Sequence, residues 1–370
     1  MTKRANRAAL RAKWATKELA EAFKTSAPHP AAVPCHLLRA SASVSAIAIA
    51  LAFGPSMARA DASYATCSLD GTTYTCSELV FDFSLDLNDE DDDYSEIIFE
   101  DINVLDTYNY LVDIDNTGDD GSSHGDDGDD VDALTVVVED DDLFVQFSGT
   151  GTDPIVSLEA FGGDGHSGTD NTDFGSSGLG KHSGDGGSVT GAQTLEIIGG
   201  TFDGYSIVAG AAASVISNGG DSSTGGDGRS YGFDDPEGGD GGDGGDGSIA
   251  QLIIYDDATL EILSDVDETP GIYVKSAGGE GGDGGEARGG TNPSGGSGGE
   301  GGDADLAEFS AEYGAQIKIE TEGDLSHGIE VLSEGGDGGT GGRAYDGLGD
   351  AYGGDGGYGA IQDGVFHAGF

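Results

Sequence analysis

Basic residues are scarce in most of this 370-residue chain. It holds 15 Lys and Arg against 69 Asp and Glu, a formal net charge of −54. Nine of the 15 basic residues lie before Asp61; from there on the chain carries six against 67 acidic ones. That balance lacks the basic footprint of a nucleic-acid binder and gives no attraction to anionic lipid. Cysteine is also rare. Cys35, Cys67 and Cys76 are the only ones, and no Cys/His set has zinc spacing. Long apolar runs are missing: Ser43–Phe53 is too short to span a bilayer. Proline numbers only eight and there is no G-X-Y period, so the 69 glycines do not make a collagen. No Lys-Ser/Thr follows a glycine run, and the surrounding charge repels phosphate.

The segment Met1–Ala60 does contain the n-, h- and c-region order of a secretory signal. Met1–Arg39 is basic and Ala-rich, Ser43–Phe53 is apolar, and Ala58-Arg59-Ala60 offers an A-x-A site. Cleavage is expected between Ala60 and Asp61, which removes Cys35. Cys67 and Cys76 then flank SLDGTTYT, whose Asp-Gly is a turn signal, so a disulfide-closed hairpin is expected near the mature N-terminus.

The chain is organised around Ala258–Gly285, which recurs without a gap as Ala315–Gly342, an offset of 57 (315 − 258). A looser copy begins at Thr194, with Leu195 matched to Leu260 at an offset of 65. With Ile249–Tyr255 and Leu306–Glu312 added, the unit is three short strands followed by a Gly/Asp-rich loop. Period-2 alternation assigns faces. Leu260 and Ile262 point one way and Glu261 the other; Ile317, Ile319 and Lys318 repeat this. Ile272 and Val274 become Ile329 and Val331. The looser copy adds Ile197, Ile207 and Ala209 to these columns. One unit cannot bury such columns, but stacked units can. The expected class is all-β, a parallel β-helix or β-solenoid; a series of antiparallel β-hairpins is the alternative. The expected organisation is a signal segment at 1–60, a strand-rich cap at 61–161, repeats at 162–357 and a tail at 358–370.

The acidic loops carry two partial calcium patterns. Gly241–Ile249 and Gly298–Leu306 approach the nonapeptide GGxGxDxUx, with Asp243, Asp246 and Asp303 as ligands. In both, the apolar residue falls at position nine instead of eight. Asp113 and Asp115 open a DxDxTG run whose twelfth position is His124, not Glu. The plainer reading is that these acids keep the loops solvated. No cofactor is expected, and calcium is the only metal the residues invite. As for catalysis, Lys181, Arg229, Lys275, Arg288, Lys318 and Arg343 are spread over loops and separate strands. His124, His166, His182, His327 and His367 are scattered. No catalytic set converges in the sequence, so a non-enzymatic chain is expected; a β-helix polysaccharide lyase is the catalytic alternative.

The phrases PGIYVKSAGGEGGDGG and HGIEVLSEGGDGGTGG resemble a repeat of large Gram-negative autotransporter passengers. The long basic n-region and the early cysteine pair are similar to theirs as well. The resemblance covers roughly Thr194–Gly357 and implies export followed by display at the cell surface or outer membrane, with adhesion or matrix contact as the role. It also implies a translocator barrel as partner, many strands of about ten residues; none follows Gly357 in this sequence. A secreted calcium-binding repeat protein is the other reading of the same residues.

Overall fold

The computed structural model describes residues 66–358, apart from 78–82, 88–93, 101, 103–105, 108–110, 140–143, 148–153, 174–177, 208–210, 256–257, 265–269, 313, 322–326, 349 and 351. The signal segment, the Ala60/Asp61 cleavage site and the tail beyond Tyr358 lie outside the described residues. All regular structure among the described residues is strand.

Among the described residues the chain visits three sheets in rotation, and a fourth, of the short parallel strands Asn171–Asp173, Gly228–Ser230, Ala287–Gly289 and Ala344–Tyr345, lies within the glycine-rich excursions. The first sheet stacks Thr66–Asp70, Thr73–Ser77, Glu96–Glu100, Leu134–Glu139, Gln193–Ile198, Ala250–Ile254 and Ala307–Ala311. The second stacks Phe83–Asp86, Val112–Thr117, Val156–Phe161, Ala213–Asn218, Ile272–Ala277 and Ile329–Glu334. The third stacks Asp106–Thr107, Phe144–Phe147, Thr201–Ile207, Thr259–Ser264 and Gln316–Thr321. In the recurring layers one strand of the first sheet is followed by one of the third and one of the second, and each pairs with its counterpart in the next layer. Every strand pair is parallel except the first hairpin, where Cys67 faces Cys76. The antiparallel-hairpin alternative is therefore not the arrangement. The Cys67–Cys76 disulfide is present and closes that hairpin at one end of the first sheet. Pairing runs unbroken across the boundary expected at 161/162, since Val156–Phe161 pairs with Ala213–Asn218.

The register confirms the main repeat and corrects the looser one. Leu260 pairs with Ile317, Ile262 with Ile319, Ile272 with Ile329 and Val274 with Val331, all at the expected offset of 57. Leu195, however, pairs with Leu252 and Val136, not with Leu260. The partners of Ile272 and Val274 in the preceding layer are Ala213 and Val215, not Ile207 and Ala209. TLEI at Thr194 and TLEI at Thr259 look alike but occupy different strands of the unit. Backbone pairing follows the length of a whole layer, not the local resemblance.

Alternation does place the faces. Leu195, Leu252, Ile272 and Val274 are fully buried, and Leu260 and Ile262 nearly so, while Glu261 is exposed. These side chains join one apolar cluster that runs through the described layers, from Phe83 and Phe99, whose rings meet edge-on at 5.0 Å, to Phe309. Glu261 instead accepts a hydrogen bond from the Lys318 ammonium at 2.6 Å across adjacent layers. Removing a CH₂ from water contributes about 0.8 kcal/mol, so several aliphatics per layer carry the stack.

These faces set a paired expectation. Ile262→Asp places an unpaired charge in the dry column and should destabilise by roughly 3 kcal/mol or more. Glu261→Ser, one residue away, loses only a solvent-exposed pair and should leave the thermal midpoint nearly unchanged. Equal losses in urea unfolding of the two variants would overturn the face assignment. A disulfide between cysteines placed at Ile272 and Ile329, neighbours across one strand spacing of about 4.8 Å, tests the parallel register.

Candidate functional site

Between the second sheet and the first, each repeating layer leaves the strands and returns along a glycine-rich excursion. The run from Gly278 to Glu286 reads as three Gly-Gly-acid triplets. Its hydrogen bonds repeat every third residue. The first glycines, Gly278, Gly281 and Gly284, donate to the carbonyls of Glu334, Asp337 and Thr340 in the next layer. The second glycines, Gly279, Gly282 and Gly285, donate across to Gly245, Gly242 and Gly239 in the returning run of the preceding layer. At the third position, the N–H groups of Glu280 and Glu286 go to the Asp221 and Asp227 carboxylates. The period is that of an extended polyproline II strand, which forms no bonds within itself and must satisfy its amides outside. The absence of a G-X-Y period holds for the chain as a whole but not here: a strict triplet operates inside these excursions.

The outgoing and returning runs thus form a two-layered bundle, and glycine is what permits it. A Cβ on Gly279 would lie 1.9 Å from the Gly220 carbonyl oxygen, and one on Gly282 1.9 Å from that of Ser223. A Cβ on Gly281 would lie 2.4 Å from the Gly299 oxygen. Only the third position faces water. Gly282→Ala should therefore strip hydrogen-exchange protection from the surrounding bundle amides. Asp283→Asn, next to it, keeps the acceptor for the Thr340 N–H and should be silent. Loss of protection in both, or in neither, would contradict the triplet rule.

The third positions align between layers into rows of side chains on both faces. One row comprises Asp120, Asp164, Asp221, Glu280 and Asp337; a second, on the returning face, comprises Asp127, Asp185, Asp243 and Glu300. The acids are acceptors in a ladder. Asp120 takes the Asp164 N–H at 2.9 Å, and Asp164 that of Asp221 at 2.9 Å. Neutral groups fill the same slot elsewhere: Ser188 Oγ takes the Asp246 N–H and His182 Nδ1 that of Asp240, each at 3.0 Å.

The first row borders a groove of about 600 Å³ that runs along the stack beside the second sheet, with Lys275 and Glu334 opposite. Lys275 pairs with Glu334 at 3.5 Å. Partial burial in that groove raises the Asp164 carboxyl from its ordinary pKa; the bond from the Asp221 N–H works against this, and the like charges of Asp221 and Asp120 add to it. Because the folded-state pKa is raised, the proton favours the fold. That contribution is fully present below the unfolded pKa and is lost as pH rises through the folded one. Asp164→Asn retains the acceptor and drops the charge, so it should raise the thermal midpoint at pH 7. The gap to the wild type should close as pH falls through the Asp164 pKa. A variant that is less stable at pH 7 would reverse this assignment.

The candidate calcium ligands are placed as follows. Asp243 and Asp246 accept the N–H groups of Glu300 and Asp303 at 2.8 Å each. Asp243 and Asp246 occupy successive triplets of the exposed returning face, and Asp303 is the rung beside Asp246 in the next layer. Asp113 and Asp115 lie on the strand Val112–Thr117, where Asp113 accepts the Ser157 hydroxyl and Asp115 that of Thr117. Among the described residues no three His, Cys, Asp or Glu side chains share a point that could hold a metal ion. Two of the arginines are engaged locally. Arg288 pairs with Asp346 at 2.7 Å and lies over Tyr345; Arg229 lies over Tyr231. Gly295–Gly299 reads G-x-S-x-G, but Ser297 sits in an extended run with its N–H on Asp240, not at a strand-to-helix elbow. The histidines are less scattered than their spacing implies: the rings of His124 and His166 meet at 4.9 Å.

No family model and no curated protein matches this chain. Among solved structures, the chain is similar to a springtail antifreeze protein from Granisotoma rainieri, described as a nine polyproline type II helical bundle. The match covers 68% of this chain and 94% of the other at 16% identity, with a TM-score of 0.13. At that score the superposition carries no argument.

Proposed function

We propose that this chain is an exported, non-enzymatic, passenger-type interaction protein. In this reading the three-sheet stack is a parallel β-helix, a solenoid of the kind the autotransporter-like repeats imply. It is a rod that carries the glycine bundle to a cell surface or its surrounding matrix. The disulfide supports the reading, because such bonds persist in oxidising compartments.

The observation that carries it is the ladder of third-position side chains. The fold needs an acceptor there, and Ser188 or His182 supplies one without a carboxylate. Most rungs nonetheless hold Asp or Glu, and stacked like charges oppose the fold. The charge therefore serves something outside the fold. Rows of carboxylates one strand spacing apart suit weak, repeated contacts with cationic or calcium-bridged polymers, whose strength comes from number. The same rows favour diffuse calcium binding over one tight site, since tight calcium binding needs six to eight converging oxygens.

The test has two parts. In cells that make the protein, antibody labelling should detect it outside the inner membrane, with a mature N-terminus at Asp61; a cytoplasmic protein that retains Met1 would end the proposal. Purified mature protein should be retained on a polycation-coated surface and released by rising salt, because exposed charges are screened beyond about 8 Å at physiological ionic strength. Retention that ignores salt would discount the carboxylate rows as the contact.

A further inference from the structure

We propose that His124 and His166 form a two-imidazole site for a borderline divalent transition-metal ion, of the Ni²⁺, Cu²⁺ or Zn²⁺ class. The site is separate from the carboxylate rows and does not depend on the adhesion reading.

The first bundle layer is short. It runs out through Gly118 and Gly121, turns where the Asp126 N–H donates to the Ser123 carbonyl, and returns through Gly128. That turn carries His124 and sets it against the second layer, where its ring meets His166 at 4.9 Å with the planes tilted by 51°. The two residues are 42 apart in sequence (166 − 124) and come together only because one layer turns back early.

His166 also breaks the triplet rule. It occupies a second position, the place held by Ser223, Gly282 and Gly339 in later layers. Ser223 and Thr169 show that small polar side chains also occupy second positions, but the imidazole is the bulkiest of the three, and departures from a repeat concentrate at functional sites. The ring is oriented as well. Its Nδ1 lies 3.3 Å from the Ser167 carbonyl oxygen, which can only accept. With a proton on Nδ1 that contact is a hydrogen bond, and in that neutral tautomer Nε2 is the nitrogen that offers a lone pair. Metal-binding histidines show this arrangement, with the far nitrogen tied to a carbonyl.

Asp126 supplies negative charge nearby. Its backbone carbonyl takes the His166 N–H at 2.9 Å, and the Ser123 hydroxyl holds its carboxylate at 2.5 Å. Since no third ligating side chain joins at one point among the described residues, the protein offers two nitrogens and solvent completes the shell. Imidazole selects this metal class, whereas Ca²⁺ and Mg²⁺ prefer the oxygens of the rows.

The experiment is calorimetric titration of the full mature protein with Ni²⁺, Cu²⁺ and Zn²⁺, in excess Ca²⁺ to occupy the carboxylates. One equivalent should bind, Cu²⁺ more tightly than Ni²⁺. Copper-loaded protein should show nitrogen hyperfine splitting in its electron paramagnetic resonance spectrum. His124→Ala and His166→Gly should each weaken binding by about tenfold or more. His327→Ala, at an exposed turn in a later layer, should not. His166→Gly installs the residue that Gly282 and Gly339 supply at the equivalent place in two later layers, so it should fold; His124→Ala changes only an exposed turn. Absence of binding, or binding that survives both histidine variants, would overturn the site.

Discussion

The bundle depends on how closely its backbones approach one another. Carbonyl oxygens lie about 2 Å from where a Cβ would stand at Gly279, Gly282 and Gly285, so glycine is needed at these places and dominates the inward positions, with His166, Thr169, Ser222 and Ser223 among the exceptions. That steric constraint fixes everything else there. It leaves one outward side chain per triplet, hands each amide a partner in a fixed direction, and aligns the outward side chains into rows. A single Ala at an inward position has no side chain to rotate away and must displace a backbone.

The acids follow from the third position and not from a need for flexibility. Their side chains hold the N–H groups that neither neighbouring layer nor opposite run can reach. Hydrogen bonding explains why the residue is polar; it does not explain why it is charged. Asn or Ser fills the same bond without repulsion along the row, as Ser188 shows. Structure accounts for the acceptor and leaves the charge to the surroundings, which is why the acceptor and the charge are separable by substitution.

Much of the strand architecture is legible in the sequence, and for a physical reason. Burial on one face imposes period-2 alternation, and the last two layers keep one offset through all three strands, so Ile262 over Ile319 and Ile272 over Ile329 can be read from spacing. The earlier layers are harder. Leu195 and Leu260 sit in the same four-letter motif, but the layer between them fixes Leu195 against Leu252. A local match carries no information about which of the sheets a strand joins. The excursions mislead for a different reason. Gly and Asp are the residues of solvated loops, and only contacts a whole layer away in sequence show that here they are ordered. The pairing of His124 with His166 is hidden likewise, because it depends on the length of a single turn.

The two halves of each layer are unequal partners. In the bundle each residue gains roughly one backbone hydrogen bond, worth about 0.5–1.5 kcal/mol net. Fixing a residue's backbone costs about 1–2 kcal/mol, and glycine loses the most freedom of any residue. The bundle has almost no apolar side chains to close that gap, so on its own it is at or below balance. The strands differ: their buried columns of Leu, Ile and Val supply the surplus. Register in the bundle must therefore be inherited from the strands, which deliver each glycine run to its place at a layer spacing already set. An insertion at the bundle's outer turns shifts only the returning run, as far as the next strand. Layers do vary there: the offset between paired residues is 57 from Gly239 to Gly296 but 58 from Gly296 to Gly354. The strand connections vary as well, with paired offsets of 57 at Gln193–Ala250 (250 − 193), 58 at Thr201–Thr259 (259 − 201) and 59 at Ala213–Ile272 (272 − 213), so each layer recovers its register at the next strand, as expected when the apolar stack sets the spacing and the glycine bundle follows it.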